Sequence, residues 1–386
     1  MSRARYFQNP HALPGASLPD IKLDAHSELI ACLELIIRRY PPSKVSPSGG
    51  LYYGAASVVY LLYSLSTHYQ ELTIAEKDLS HWLRAYLAVP QKCTREFHKP
   101  RPSRCGVGDD MLSLLALEAI ILRNENAAKD LCHWAQVILE DERHSRKQAS
   151  NEWLYGRAGY LYLLRLVRSS FRDHATITEL INTTISSTIK TIVASPRPWI
   201  WHGSAYVGAA HGTIGIITQV VLSDPSYADR VIQDLEEVLS LQNRENGNWL
   251  SSLESGNSDR LVQFCHGATG VVHSLVRLRP HFPGIQERID AAIDSGRNCI
   301  WKRGILTKES CLCHGTTGSA LALDEARREA FLGYTTEDYI TSMIRSPTVE
   351  PSDDGEGLWT GIAGRAWAWV IVDKSLPVTF LGYDDV

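Results

Sequence analysis

The sequence predicts an all-α fold built from a helical repeat, and three observations support this. A short turn containing glycine recurs seven times along the 386 residues, with its first glycine at positions 54, 106, 156, 212, 267, 315 and 361. Each turn precedes an apolar segment, and no strand-like alternation of polar and apolar residues separates the turns. The separations of 46–56 residues are regular enough to indicate a repeat architecture.

Two kinds of helix are expected within this repeat. The apolar segments are Ser57–Leu65, Met111–Ile121, Tyr160–Val167, Gly215–Leu222, Val271–Leu278, Ser319–Leu323 and Arg365–Val372. Amphipathic helices are predicted at Ala25–Arg39, Thr73–Ala88, Asn126–Glu140, Thr176–Ile192, Tyr227–Leu241, Ile285–Cys299 and Thr336–Met343. Because a helix that is apolar all round belongs inside and a one-sided helix belongs outside, seven such pairs can close into a ring.

An open solenoid, in which the glycines only end or begin helices, is the alternative to a ring. It does not explain why cysteine and histidine concentrate at a few of the turns. We expect an N-terminal arm over residues 1–24, where prolines break any helix, and one domain over residues 25–386, because no linker divides the repeats.

Composition excludes several classes of function. The chain is 44% hydrophobic and 21% charged, which is typical of a globular protein. Its net charge of -4 gives no reason to expect nucleic acid as a partner. The N-terminus lacks a secretory signal and no apolar run is long enough to span a bilayer, so we expect a cytoplasmic protein, with the nucleus as an additional location. The eight cysteines are then expected to be buried thiols or metal ligands.

Two of the turns share the pattern Cys-His-Gly-x-x-Gly, starting at Cys265 and at Cys313. Thiolate and imidazole are the ligands that zinc prefers, and the glycines let the backbone approach closely. His211 stands at the equivalent position of the fourth turn. Since a ring brings its turns together at one end, the sequence predicts a metal site there.

These motifs resemble those of the lanthionine synthetase C-like proteins, particularly the eukaryotic branch. The resemblance covers nearly the whole chain. It is carried by the two Cys-His-Gly turns and by residues 5–10 (Arg-Tyr-Phe-Gln-Asn-Pro), 155–160 (Tyr-Gly-Arg-Ala-Gly-Tyr), 208–212 (Gly-Ala-Ala-His-Gly) and 358–364 (Leu-Trp-Thr-Gly-Ile-Ala-Gly). It implies an α/α toroid of seven inner and seven outer helices with one zinc ion (Zn2+) at its mouth.

The family's zinc ligands match Cys265, Cys313 and His314, which leaves a fourth position for water or a substrate thiol. Three protein ligands with an open position are also what a catalytic zinc requires. Cys311 offers another thiol two residues before Cys313, and the family pattern favours Cys313. The role of Cys311 is left open.

The resemblance also implies roles for residues around the metal. His211 matches a proton-transfer residue, and His266 matches a histidine of the eukaryotic branch, so we expect it to contribute to substrate binding. Lys308 matches a lysine near bound glutathione, where it could bind a carboxylate or stabilise an enolate, and Arg5 is carried to the mouth by the arm. The family's arginine before the last repeat is missing from residues 350–354, and Arg345 is a possible substitute.

The implied activity is zinc-dependent addition of a thiol, such as glutathione, to dehydroalanine or dehydrobutyrine residues of peptides or proteins, which forms a thioether. A zinc- and glutathione-binding adaptor without catalysis is the main alternative. A glycoside-processing toroid would need two acidic residues at the mouth. Glu152 precedes the third turn, but no clear partner stands at the equivalent turns. A prenyltransferase-like zinc toroid would normally include an aspartate ligand.

Overall fold

The computed structural model describes residues 5–18, 22–140, 149–256, 259–344 and 355–386, so Arg345 and residues 350–354 lie outside the described residues. The helices, in chain order, are α1 (Ala25–Arg39), α2 (Gly54–Ser66), α3 (Leu79–Lys92), α4 (Asp110–Leu122), α5 (Glu125–His133), α6 (Ala135–Ile138), α7 (Arg157–Ser170), α8 (Ala175–Ala194), α9 (Thr213–Ser223), α10 (Ala228–Ser240), α11 (Ala268–Leu278), α12 (Gln286–Arg303), α13 (Thr316–Ala322), α14 (Glu325–Leu332), α15 (Glu337–Ile344) and α16 (Ile362–Asp373). Strands β1 (Thr73–Ile74) and β2 (Lys77–Asp78) form an antiparallel hairpin in which Thr73 pairs with Asp78.

The seven apolar helices that follow the turns form a closed inner ring. In the order α2, α4, α7, α9, α11, α13 and α16, each helix contacts the next, and α16 contacts α2. The outer layer consists of α3, α5, α8, α10, α12, α14 and α1, each packed on one inner helix. The predicted α/α toroid of seven inner and seven outer helices is therefore confirmed. The outer partner of α16 is α1, so the first helix of the chain closes the ring onto the last.

Three predicted outer helices differ from the structure. The segment predicted as Thr73–Ala88 begins with the hairpin, because Ala75 and Glu76 both take positive φ values, 48° and 61°, which suit a tight hairpin turn. The segment Asn126–Glu140 is divided at Trp134 into α5 and α6. The sixth outer helix is α14, which Asp324 caps by accepting a hydrogen bond from the Arg327 N–H, whereas the predicted helix Thr336–Met343 corresponds to α15 against α1.

Backbone hydrogen bonds join neighbouring turns into a belt at one end of the ring. The donors and acceptors are Leu51 to Val107 (2.8 Å), Cys105 to Tyr155 (2.7 Å), Trp153 to Ala210 (3.1 Å), Phe264 to Cys313 (2.9 Å), Cys313 to Trp359 (2.9 Å) and Trp359 to Tyr52 (3.0 Å). At the remaining junction Gly208 lies against the Cys265 carbonyl, and a Cβ on Gly208 would stand 2.1 Å from that oxygen. The belt holds the cysteine-bearing turns at fixed positions.

The last residues of the chain occupy the inside of the ring, which the sequence did not predict. The Tyr383 carbonyl accepts hydrogen bonds from Arg165 on α7 (3.0 Å) and from Gln219 on α9 (2.9 Å). The buried Asp384 carboxylate pairs with His273 (2.9 Å) and Arg277 (3.0 Å) on α11. The C-terminal segment thus links several inner helices across the ring.

An aromatic layer separates this segment from the belt. Trp153, Phe264 and Trp359 come from the third, fifth and seventh turns, and their rings pack on one another and on Tyr383. The Trp153 Nε1–H also donates to the Gly382 carbonyl at 3.0 Å. Since Phe264 directly precedes Cys265, the C-terminal segment supports the turn that carries a predicted metal ligand. Within the described residues, we find no helix with the length and apolar character needed to cross a membrane.

Candidate functional site

The two Cys-His-Gly turns lie side by side at the mouth of the ring. Backbone N–H groups of Phe264 and Cys265 both reach the Cys313 carbonyl, at 2.9 and 3.4 Å. Gly267 permits this arrangement, because its φ of 105° and the Leu261 carbonyl, 2.0 Å from where a Cβ would lie, exclude other residues. The turns then lead directly into α11 and α13.

The sulfur of Cys313 contacts the side chains of Cys265 and His314, so the three predicted ligands are neighbours. The hydrogen bond with Cys265, together with burial, raises the pKa of the Cys313 thiol well above its usual range. Cys311 and Cys313 lie against the imidazole of His314 and raise its pKa to about 11. Cys311 is fully buried, and its sulfur is close enough to this cluster to be a further donor.

The chemistry of this donor set fits zinc, since it offers two sulfurs and an imidazole at the end of the ring. The side-chain positions are less favourable: among the described residues, no group of three or more His, Cys, Asp or Glu is arranged to hold a metal ion. The Cys313 thiol is in hydrogen-bonding contact with Cys265, and the Cys265 thiol also donates to Oε1 of Gln263 at 3.5 Å. Because cysteine binds a metal as the thiolate, metal binding at these residues would release thiol protons.

His211 is held by a carboxylate and an aromatic ring, and its imidazole centroid lies 5.9 Å from that of His266, the residue after Cys265. The His211 Nδ1 lies 2.9 Å from Oε2 of Glu152, which is only 1% exposed. Glu152 is itself fixed by the backbone N–H groups of Leu154 (2.8 Å) and Tyr155 (2.5 Å). The Trp201 ring stacks on the imidazole with 3.9 Å between centroids and 2° between planes. With Nδ1–H donated to the carboxylate, Nε2 is left to accept a proton.

His266 lies between His211 and Tyr206, with ring centroids 5.9 and 5.3 Å away. Burial and the nearby His211 lower the pKa of His266 to about 4, so its imidazole is neutral near pH 7. Its Nδ1 is buried and has no hydrogen-bond partner within the described chain. A buried nitrogen without a partner is available to a ligand that enters the mouth.

Arg5 and Lys308 lie on two neighbouring extended segments of the chain. The arm pairs with the segment before the sixth turn, since Phe7 N–H donates to the Ile305 carbonyl (2.7 Å) and Thr307 N–H to the Arg5 carbonyl (3.2 Å). Arg5 is exposed, and Lys308 is half-buried beside a small cavity lined by Phe7, Tyr334 and Tyr339. In the described parts of the chain, Lys308 makes no ion pair, so its ammonium group is available for an anion.

Two residues of this site were missed or misread from sequence. The sequence suggests Glu152 only as a glycosidase acid, whereas the structure pairs its carboxylate with His211. Trp201 was not singled out, although an aromatic residue beside His202 in the segment before the fourth turn is a signal that was present. Both contacts join distant parts of the chain, so no local pattern predicts them.

Comparisons with known proteins agree with this architecture. The family model described as lanthionine synthetase C-like protein matches residues 46–375. Glutathione S-transferase LANCL1 of Danio rerio is 26% identical over 317 residues, which cover 76% of this chain and 72% of that protein. LanC-like protein GCL1 of Arabidopsis thaliana is 29% identical over 261 residues, which cover 61% of this chain and 58% of the plant protein. The structure of nisin cyclase has the same fold, with a TM-score of 0.56 and 12% identity over 93% of this chain and 95% of the cyclase.

Proposed function

The chain belongs to the lanthionine synthetase C-like family, in its eukaryotic branch, and on this premise we propose that it adds a thiol to dehydroalanine or dehydrobutyrine residues of peptides or proteins. The product is a thioether, and the proposed thiol is glutathione. The name of the zebrafish relative, a glutathione S-transferase, supports glutathione as the thiol. The likeness to nisin cyclase supports the fold on which the reaction is proposed. We propose a cytoplasmic location for this reaction.

The observation that carries the proposal is the clustering of two thiols and an imidazole beside a second, carboxylate-bound histidine. Cys265 and Cys313, as thiolates, and His314, as a neutral imidazole, would hold one zinc ion. When bound there, zinc supplies Lewis acidity that lowers the pKa of a substrate thiol at the open position. Cys311 is a further donor candidate in the same cluster.

His211 moves the proton in this reaction. Its Nε2 accepts the proton of the incoming thiol, and Glu152 stabilises the resulting imidazolium through Nδ1–H. The sulfur then forms a bond to the β-carbon of the dehydroamino acid while its double bond opens toward the carbonyl. His211 returns the proton to the α-carbon, which completes the addition with all atoms accounted for. The Trp201 stack keeps the imidazole plane fixed throughout.

Three further residues would bind and stabilise the reactants. In this proposal Lys308 would take a carboxylate of glutathione, or stabilise the enolate oxygen that develops during addition. Arg5 lies on the paired strand and offers a second cation for the same anion. The buried Nδ1 of His266 is available to hydrogen-bond the substrate near His211.

The proposal can be tested with the purified full chain. We expect zinc in about one equivalent by elemental analysis, and mass spectrometry should show glutathione added to a dehydroalanine peptide. Cys313→Ala should lose both zinc and activity. Cys299→Ala is the matched control, because Cys299 is a buried thiol on the outer helix α12. Unchanged zinc content and activity in Cys313→Ala would overturn the proposed site.

A zinc- and glutathione-binding adaptor is the second candidate function. The arrangement of His211, Glu152 and Trp201 favours the enzyme, because a binding protein has no need of an oriented proton acceptor. Tight glutathione binding without turnover of any dehydrated peptide would favour the adaptor.

A further inference from the structure

A cavity of about 390 Å³ lies near His211, and the proposed reaction assigns no ligand to it. Its lining includes Arg101, Ser103, Ser150, Trp201 and His202. Two short turns of the same form border it, residues 101–104 and 201–204, and each is closed by a reciprocal pair of backbone hydrogen bonds. The cavity therefore has well-defined backbone walls.

The cavity shares two side chains with the surroundings of His211. Trp201 forms part of its wall and also stacks on the imidazole of His211 at 3.9 Å. The Ser150 hydroxyl donates to Oε1 of Glu152 at 3.3 Å, and Oε2 of the same carboxylate binds His211. A ligand in the cavity would thus be separated from the proton-transfer residue by one side chain.

The charge of the cavity is suited to an anion. Arg101 is exposed and makes no ion pair in the described parts of the chain. The segment from Lys92 to Arg104 holds five lysines and arginines and a single glutamate, although the whole chain has a net charge of -4. A guanidinium group matches the geometry of a carboxylate, and the hydrogen bonds between them are strengthened by charge. His202 adds an imidazole donor on the opposite turn.

From these observations we infer that the cavity binds an acidic side chain of the peptide that carries the dehydroamino acid. This inference rests on the proposed function and specifies its substrate class: peptide segments with aspartate or glutamate near the modified residue. An extended peptide advances about 3.3–3.6 Å per residue. Because only Trp201 separates the cavity from His211, the acidic residue is expected close in sequence to the dehydroamino acid.

Binding can be measured without any turnover. The probes are fluorescein-labelled peptides with alanine in place of dehydroalanine and with glutamate or glutamine two residues away, and the readout is anisotropy with the full chain. We expect the glutamate peptide to bind about fivefold more tightly at low salt, and Arg101→Ala to remove this preference. Arg101→Lys should retain part of it, and Arg230→Ala, an exposed arginine on the outer helix α10, should retain all of it.

Equal binding of the two peptides, or a preference that survives Arg101→Ala, would overturn the inference. A turnover assay then separates the peptide from glutathione as the source of the carboxylate. Arg101→Ala should raise the KM for the acidic dehydroalanine peptide and leave the KM for glutathione unchanged. A rise in the KM for glutathione instead would also overturn it. If the wild type binds the acidic peptide through Arg101 but forms no thioether, the proposed reaction fails and the subsite stands.

Discussion

The buried side-chain carboxylate of Asp384 provides the sharpest test of how the C-terminal segment stabilises the ring. Asp384→Asn keeps the size of the side chain but removes the charge that faces His273 and Arg277. Loss of one partner from a buried ion pair typically costs about 3–5 kcal/mol. Because the Arg277 side chain is 36% exposed, we expect a somewhat smaller loss, about 2–4 kcal/mol in the free energy of unfolding. For a chain of 386 residues this corresponds to a decrease in Tm of about 3–5 °C.

The effect should also depend on pH. Burial alone would raise the pKa of Asp384, but His273 and Arg277 outweigh it, so the pKa lies below its ordinary value of 3.8. A carboxylate with a lowered pKa stabilises the folded state above the unfolded-state pKa, and this contribution is lost as the pH falls through the folded-state pKa. The difference in stability between wild type and Asp384→Asn should therefore be full near neutral pH and shrink as the pH falls below about 4.

Urea unfolding, monitored by circular dichroism at several pH values, measures the free energy of unfolding and its pH dependence. The control is Asp290→Asn, which removes an exposed ion pair with Arg279 and should change the free energy of unfolding by less than about 1 kcal/mol. If Asp384→Asn were as stable as Asp290→Asn at pH 7, or if its deficit did not shrink in acid, the role assigned to the C-terminal segment would be wrong.

Three other predictions concern the belt and the site. Gly208→Ala should lower the free energy of unfolding by about 1–3 kcal/mol in urea titrations, because its Cβ would meet a carbonyl oxygen at 2.1 Å. Gly284→Ala, with open space around the added Cβ, should leave the stability unchanged. Equal stabilities of the two variants would contradict the close junction. Glu152→Gln should slow thioether formation by about 100-fold or more in a mass-spectrometric time course, since the amide no longer stabilises the imidazolium of His211, and a wild-type rate would remove Glu152 from the mechanism. Cys311→Ala should retain zinc by elemental analysis, and loss of the metal would make Cys311 a ligand.

Much of the ring could be predicted from the sequence because its repeat is local. The turn at Gly156 is followed by an apolar helix that begins at Arg157, and the same relation holds at Gly212 and Gly315. Each repeat carries its own turn chemistry and its own hydrophobic pattern, so each can be recognised separately. The hairpin before α3 was missed because the positive φ angles at Ala75 and Glu76 occur without glycine or asparagine.

The site was predictable only in part, because many of its contacts are not local in sequence. The motifs put Cys265, Cys313 and His211 on turns that a closed ring must bring together. They do not specify that the Cys313 thiol forms a hydrogen bond with Cys265 or that Cys311 approaches His314. Nor do they specify the hydrogen bond between Glu152 and His211. Such contacts depend on how neighbouring repeats are rotated and on side-chain rotamers, which leave no periodic signal. The C-terminal segment inside the ring is the extreme case, since Asp384 is far in sequence from its partners on α11.

The closure of the ring by α1 and α16 has a consequence for biosynthesis. Among the described α-helices, α1 comes first and its inner partner α16 comes last. Until α16 is translated, the chain is therefore an incomplete arc whose two apolar edges face solvent. Cys265 and Cys313, on the fifth and sixth turns, are already part of this arc before α16 is translated. A chaperone that shields the open edges would therefore be most useful before α16 is translated, and ribosome-stalled chains lacking α16 should be unusually prone to aggregate.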